Sequence, residues 1–168
     1  MKSLVKASAI LLMVFGALSA LPAQNFGYVN SALILSEMPE VKQADANLEA
    51  LQKQLQKKGQ AMVEKLQQDY AAVRQKIDSG ELSPIQQQRE SERLEKSQAE
   101  IAKFEQDMMK QVQDKRDELL QPIYDKVNDA IKAVANENGF QFIFDQGVLL
   151  YAEESQDVSN LVKAKLGM

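Results

Sequence analysis

The stretch that most limits how this chain can fold is a break in its polar middle, "QKIDSGELSPIQQQRE" (75–90). Gly80 suits the left-handed residue that follows a helix C-terminus, and Ser83-Pro84 suits a helix start. Ser83 reads as the N-cap, Pro84 as the first helical residue and Gln86 as the capping-box partner. Before the break, apolar residues recur at Leu48, Leu51, Leu55, Met62, Leu66, Tyr70, Val73 and Ile77, in steps of three, four and seven. After it they recur at Leu94, Ile101, Phe104, Met108, Val112, Leu119, Ile123, Val127, Ile131 and Val134. Each set is one narrow stripe on an otherwise polar helix. The first helix is expected over 39–78 and the second from Pro84 to Asn138, where Gly139 ends it. At about 1.5 Å per residue they run roughly 60 and 80 Å, against about 30 Å for a small domain. The short link favours antiparallel neighbours, so 39–138 is expected to form a long helical hairpin arm with its tip at 78–84.

Between Gln52 and Gln113 there are 14 glutamines, with Lys, Arg, Asp and Glu intermixed. That composition solubilises a helix without giving it a wide core face. Two helices sharing so thin a stripe are held weakly, so the distal arm is expected to bend and splay. The four-residue steps from Met62 to Tyr70 also depart from a strict heptad, which relaxes a regular supercoil there. Pro122 removes one backbone hydrogen bond inside the second helix, at about 3 kcal/mol in an ideal interior. It reads either as a kink where arm meets body or as a locally tolerated proline.

Both ends of the chain read differently. Lys2 and Lys6 precede an apolar run, Ala7 to Leu18, followed by "SALPAQ". That pattern is an export signal over 1–23, with cleavage after Ala20 or Ala23; an uncleaved anchor is the lesser alternative, because a spanning helix needs about 20 apolar residues. "FGYVN" (26–30) reads as a strand running into an apolar turn or helix at Ala32 to Leu35. "FQFIFD" places Phe140, Phe142 and Phe144 on one face, Gln146-Gly147 turns the chain, and "VLLYA" (148–152) reads as a further strand. A last amphipathic helix, "DVSNLVKAKL", is capped by Asp157 or Ser155 and ends in Lys163 and Lys165, which suit its C-terminal dipole. The sheet-forming parts, 24–38 and 139–168, total roughly 45 residues. A body that small buries too little to fold alone without disulfides or metal. The chain is therefore expected to be α+β and mostly helical, with a small β-sheet body that oligomerises. Phe26, Tyr28, Val29, Phe140, Phe142, Phe144 and Leu150 are its candidate core or subunit interface.

Much chemistry is excluded. There is no Cys and no His, hence no disulfide, thiolate nucleophile, imidazole base or His-containing zinc site. The seven glycines form no phosphate-binding loop. Carboxylates alternate with Lys and Arg, and pairs such as Glu92–Lys96 and Glu49–Lys53 read as solvated salt bridges rather than acid/base dyads. No enzyme activity, cofactor or metal is expected. Without the signal, 18 basic residues face 24 acidic ones, a net charge of −6, which makes nucleic acid a poor partner. Tyr70, Val73, Ile77, Leu82 and Ile85 make the tip apolar for an exposed turn; they either pack on themselves or touch a partner. Met62 and Met108 read as seam residues of the hairpin, and Met109, off the stripe, as an exposed contact.

Three segments, "FGYVNSALILSEMPEVKQA", "ELLQPIYDKVNDAIKAVANENGFQFIFD" and "VLLYAEESQDVSNLVKAKL", resemble the Skp (OmpH-like) family of periplasmic chaperones. The resemblance covers 25–168, most specifically at the two ends. It implies a homotrimer whose subunits share a β-body and whose three arms enclose a cavity. It further implies an ATP-independent holdase for unfolded outer-membrane β-barrel proteins, with Tyr70, Val73, Ile77, Leu82, Ile85 and Met109 as candidate client contacts. The best-known members are basic and bind lipopolysaccharide. A chain at −6 departs from that pattern, so lipopolysaccharide or anionic-lipid binding is not carried over. The first long helix, with seven basic against six acidic residues, leaves a local basic lining open. The residues alone also allow a structural or adaptor coiled coil of the cell envelope. An amphipathic membrane-surface protein fits less well, because the stripe is narrow and its charge mixed.

Overall fold

The computed structural model describes residues 25–168, and the expected export signal lies outside the described residues. The order of elements is β1 (Phe26–Val29), α1 (Ser31–Glu37), α2 (Pro39–Asp78), α3 (Pro84–Asn138), β2 (Phe142–Asp145) and α4 (Ser159–Leu166). The chain divides into two compact units, one of residues 32–128 and one of 129–168 with the N-terminal segment up to Ser31. Among the described residues no helix is long and apolar enough to cross a membrane.

In the helical unit the predicted punctuation is in place. Gly80 adopts φ 72°, and Glu81 N–H donates to the Lys76 carbonyl at 3.0 Å while Gly80 N–H donates to that of Ile77. This is the Schellman arrangement, which only a residue without Cβ enters cheaply. At the next helix start, Ser83 N–H donates to Gln86 Oε1 at 2.8 Å and Gln86 N–H to Ser83 Oγ at 3.4 Å, a reciprocal capping box. Ser83→Ala is expected to cost about 1 kcal/mol locally. The check is amide exchange across 84–90: faster exchange is expected there, and an unchanged rate would contradict the capping account.

The hairpin seam is held at two levels. Ala44, Leu48, Leu55, Ile123 and Val127 are buried towards its open end, and Val73 and Leu94 near its turn. Ion pairs between the helices reinforce both levels: Lys126 Nζ to Glu40 at 2.6 Å, and Arg93 Nη1 to Asp69 at 2.9 Å. Arg93 Nε also holds Glu90 at 2.7 Å. The thin packing therefore lies in the middle of the hairpin, where the sequence placed it at the distal end; Val73, Leu94 and the Arg93 pairs account for the difference. Helix α3 runs unbroken through Pro122. Glu49–Lys53 forms as expected at 2.6 Å, but Glu92–Lys96 does not. Lys96 turns to Glu100 at 4.0 Å and Glu92 accepts from Gln88. Exposed pairs differ by only tenths of a kcal/mol, so equivalent neighbours compete.

In the second unit β1 and β2 pair in parallel, Phe26 with Phe142 and Tyr28 with Phe144. The other edge of β1 carries a bridge from Tyr28 to Asp157, and Val158 N–H donates to the Tyr28 carbonyl at 2.9 Å. Asn30 N–H donates to Ser159 Oγ at 2.9 Å, which ties the start of α4 to the end of β1. Asp157 supplies the predicted cap, accepting from Ser159 N–H at 2.8 Å. The core of this unit is Tyr28, Val29, Ala130, Val134, Val158 and Val162. Gly27 sits at a close approach: a Cβ there would lie 3.2 Å from Val158 Cγ1 and 3.3 Å from the Phe140 ring, so those side chains would have to give by a few tenths of an ångström.

The strand predicted over Val148–Ala152 is absent. Gln146–Val148 is a single 3-10 turn, and the chain beyond Leu149 joins no sheet. Two causes combine. Asp145 accepts from Gly147 N–H at 2.8 Å, which turns the chain immediately after β2. Both edges of β1 are also already taken, by β2 and by Asp157, so only the outer edge of β2, which has no partner among the described residues, is left to a further strand.

Candidate functional site

Two surfaces stand out, one in each unit. On the sheet, period-two alternation brings Phe26, Phe142 and Phe144 to one face. Their ring centroids lie 5.8 to 6.3 Å apart, Phe26 and Phe142 stacked, within the range where aromatic pairs attract. The β2 side of this face is not covered, although Tyr28, in register with Phe144, is buried. Phe142 is 54% exposed and Phe144 40% exposed, and the following segment adds Val148, Tyr151 and a fully exposed Leu150. Large exposed apolar side chains thus recur along 142–151. Tyr28 and Val29, by contrast, are interior, and Phe26 and Phe140 are half-buried. The sequence-derived group thus divides into a core pair, two edge aromatics, and three residues presented outwards: Phe142, Phe144 and Leu150. Val148 and Tyr151 were missed as surface residues, because reading 148–152 as a paired strand buried them on paper.

A polar joint borders this face. Asp145 accepts hydrogen bonds from Ser31 Oγ and Gly147 N–H. Asn30 Nδ2 donates to Gln146 Oε1 at 2.6 Å beside it. The carboxylate thereby ties the first residue of α1 to the end of β2. The Ser31 hydroxyl and then the Gly147 amide hold its carboxyl below the ordinary value of 3.8. A depressed folded pKa means that the unfolded chain binds the proton more readily, so the contribution is full above the ordinary value and is lost as pH falls through the folded one. Wild type is expected to lose thermal stability between about pH 5 and about pH 3 more steeply than Asp145→Asn. Parallel slopes for the two would contradict the joint. Tyr28 titrates abnormally for another reason: burial raises its phenol above 10.0, and the Asp157 and Glu154 carboxylates add to the effect.

On the hairpin, Ile85 is 68% and Met109 66% exposed, with Tyr70 and Ile77 exposed as well. Leu82 is half-buried in the turn, where Gln87 Nε2 donates to its carbonyl at 3.0 Å. Val73 is buried in the seam and presents nothing to a partner as the hairpin stands. The candidate contacts are thus an apolar group near the turn plus Met109, which lies in a separate groove of about 550 Å³ with Met108, Gln52, Gln56 and Arg116. Among the described residues no group of three or more carboxylates could hold a metal.

A thin-striped helical hairpin joined to a small sheet with an uncovered aromatic face defines the class of fold, and the comparisons agree with it. Residues 25–166 match the family model described as outer membrane protein (OmpH-like). The chain belongs to the OmpH-like outer membrane protein family. It is 26% identical over 163 residues to the chaperone protein Skp of Yersinia enterocolitica, covering 90% of this chain and 92% of that one. It is 25% identical over 168 residues to the chaperone protein Skp of Vibrio cholerae, covering 96% and 97%. The fold resembles the crystal structure of an OmpH-like outer membrane chaperone from Caulobacter crescentus, with a TM-score of 0.74 at 17% identity over 86% of this chain and 84% of that one.

Proposed function

We propose that this protein is an ATP-independent holdase chaperone of the periplasm, which binds unfolded outer-membrane β-barrel proteins and works as a homotrimer. The observation that carries the reading is the exposed apolar group made by Phe142 and Phe144 of β2 with Val148, Leu150 and Tyr151 of the segment that follows. A surface that apolar, on a unit too small to be stable alone, fits an interface between copies of the chain. Relatives named chaperone protein Skp, matched over nearly their whole length, give the assembly its purpose. Several hairpins on one hub multiply weak contacts by effective concentration, which suits a client offering many poor binding segments. Tyr70, Ile77, Leu82, Ile85 and Met109 are the client contacts in this reading. Export by the segment 1–23 would place the protein with such clients.

The test is light scattering after a urea-unfolded outer-membrane β-barrel protein is diluted to low urea, with and without the mature chain and with no nucleotide. Suppressed scattering and a soluble complex are expected. Unchanged precipitation would defeat the holdase reading and favour a structural coiled coil of the envelope.

A further inference from the structure

The middle of the hairpin is where its helices hold each other least. Among the described residues, α2 buries nothing between Leu55 and Val73, and α3 nothing between Leu94 and Ile123. The ion pairs between them sit near the turn and near the open end. In that middle, two grooves open along the seam. One is lined by Gln52, Gln56, Met108, Met109, Gln113 and Arg116. The next, of about 540 Å³, shares Gln56 and Met108 and reaches Phe104, whose ring lies against Gly59 and under Lys58 Nζ at 5.0 Å.

We propose that Met108 and Met109 form a two-step oxidation site that sets how tightly the middle of the hairpin closes. The chain has no cysteine, so thioethers are the soft two-electron donors it offers to a hypohalous acid or a peroxide. Met109, at 66%, is the most exposed of the described methionines, whereas Met38, at 1%, is sealed. Met108 is half-buried and is the one methionine common to both grooves. In the reaction the sulfur lone pair takes the oxygen. An S–O bond forms, the O–Cl or O–O bond breaks, and sulfur loses two electrons. Chloride leaves with a proton from hypochlorous acid, or water leaves from hydrogen peroxide.

The surroundings give the two sulfoxides different consequences. Met109, Gln113 and Arg116 are four and seven residues apart on one face of α3, opposite Gln52 and Gln56. Arg116 has no ion pair or hydrogen bond to another described residue, so its guanidinium is available to a sulfoxide oxygen at Met109. That first step is accommodated at the groove rim. Oxygen on Met108 instead enters the seam beside Phe104, Ile101 and Val112. There a flexible apolar side chain has become a stiff polar one against apolar neighbours, with Gln56 the polar residue that lines both grooves beside it. The second step therefore opens the seam where no buried residue compensates.

The experiment titrates the full mature chain with hypochlorous acid, maps added oxygen by peptide mass, and follows amide exchange. Met109 is expected to oxidise first, with the 44% exposed Met168 also ahead of the half-buried Met62 and Met108, and Met38 last. Protein oxidised at both Met108 and Met109 is expected to exchange at least about tenfold faster over 56–72 and 95–107, the fold expected where local stability falls by about 1.4 kcal/mol. Met108→Leu abolishes that acceleration and Met109→Leu leaves it. Acceleration that survives in Met108→Leu, or a Met108 no more reactive than Met38, overturns the proposal. The consequence for clients rests on the holdase reading: an opened seam exposes more apolar surface, so oxidised protein suppresses client aggregation at a lower ratio. Unoxidised protein that suppresses nothing would remove the holdase reading, while the exchange result alone decides the oxidation site.

Discussion

Phe142→Asp is expected to abolish assembly and yield a monomer with an unfolded sheet unit and helical signal from the hairpin. Phe142 stacks on Phe26 and Phe144, yet half of it faces outwards in the single chain. A carboxylate there loses the aromatic contacts and, in an assembled hub, sits without a partner in apolar surroundings. Removing the partner from a buried charge costs about 3–5 kcal/mol, and an uncompensated new charge belongs in the same range, repeated once per subunit. The chain has no cysteine for a disulfide, and among the described residues no carboxylate cluster could hold a metal. Sedimentation together with circular dichroism checks the result. A variant with wild-type mass and wild-type near-ultraviolet signal would mean that the aromatic face is not an interface.

Val162→Asp is the second large effect, and it separates a unit's own core from its contacts. Val162 is completely buried on α4, whose start is tied to β1 through Val158 and Ser159. A charge has no route to water there, so the unit either unfolds or holds a neutral acid at a cost of several kcal/mol. Leu161→Asp, one residue away and 45% exposed, is the internal control. It is expected to change thermal stability by about 0.5 kcal/mol or less if that surface stays free. Equal losses in the two variants would show that α4 is not packed by the face described.

The long helices were legible because their signals are local. Gly80, Ser83, Pro84, Gln86 and Gly139 each act within a few residues of themselves, and the apolar stripe repeats along a single helix. What the sequence hid depends on partners far apart in the chain. Whether 148–152 becomes a strand depends on which sheet edges are open to it, and Asp157 occupies one edge of β1. The Asp145 joint spans more than a hundred residues to Ser31, and nothing in "FDQG" announces that partner. The apolar residues of the tip were visible as a group. Their division into Val73 inside and Ile85 outside depends on the rotation of one helix against the other, and a stripe with mixed steps leaves that rotation undetermined. The mid-hairpin grooves were hidden for the same reason: the stripe continues through 56–72, but Met62 and Leu66 reach only half-burial there and Tyr70 is exposed.

The central claim, an assembly built on the sheet face that keeps an unfolded client soluble, is tested most directly by native mass. The mature chain would be weighed alone, and again after a urea-unfolded outer-membrane β-barrel protein is diluted into it. The account predicts a particle of three times the mature chain's mass that becomes a single soluble particle heavier by one client. A compact monomer, stable with Phe142 and Leu150 in water, would contradict it.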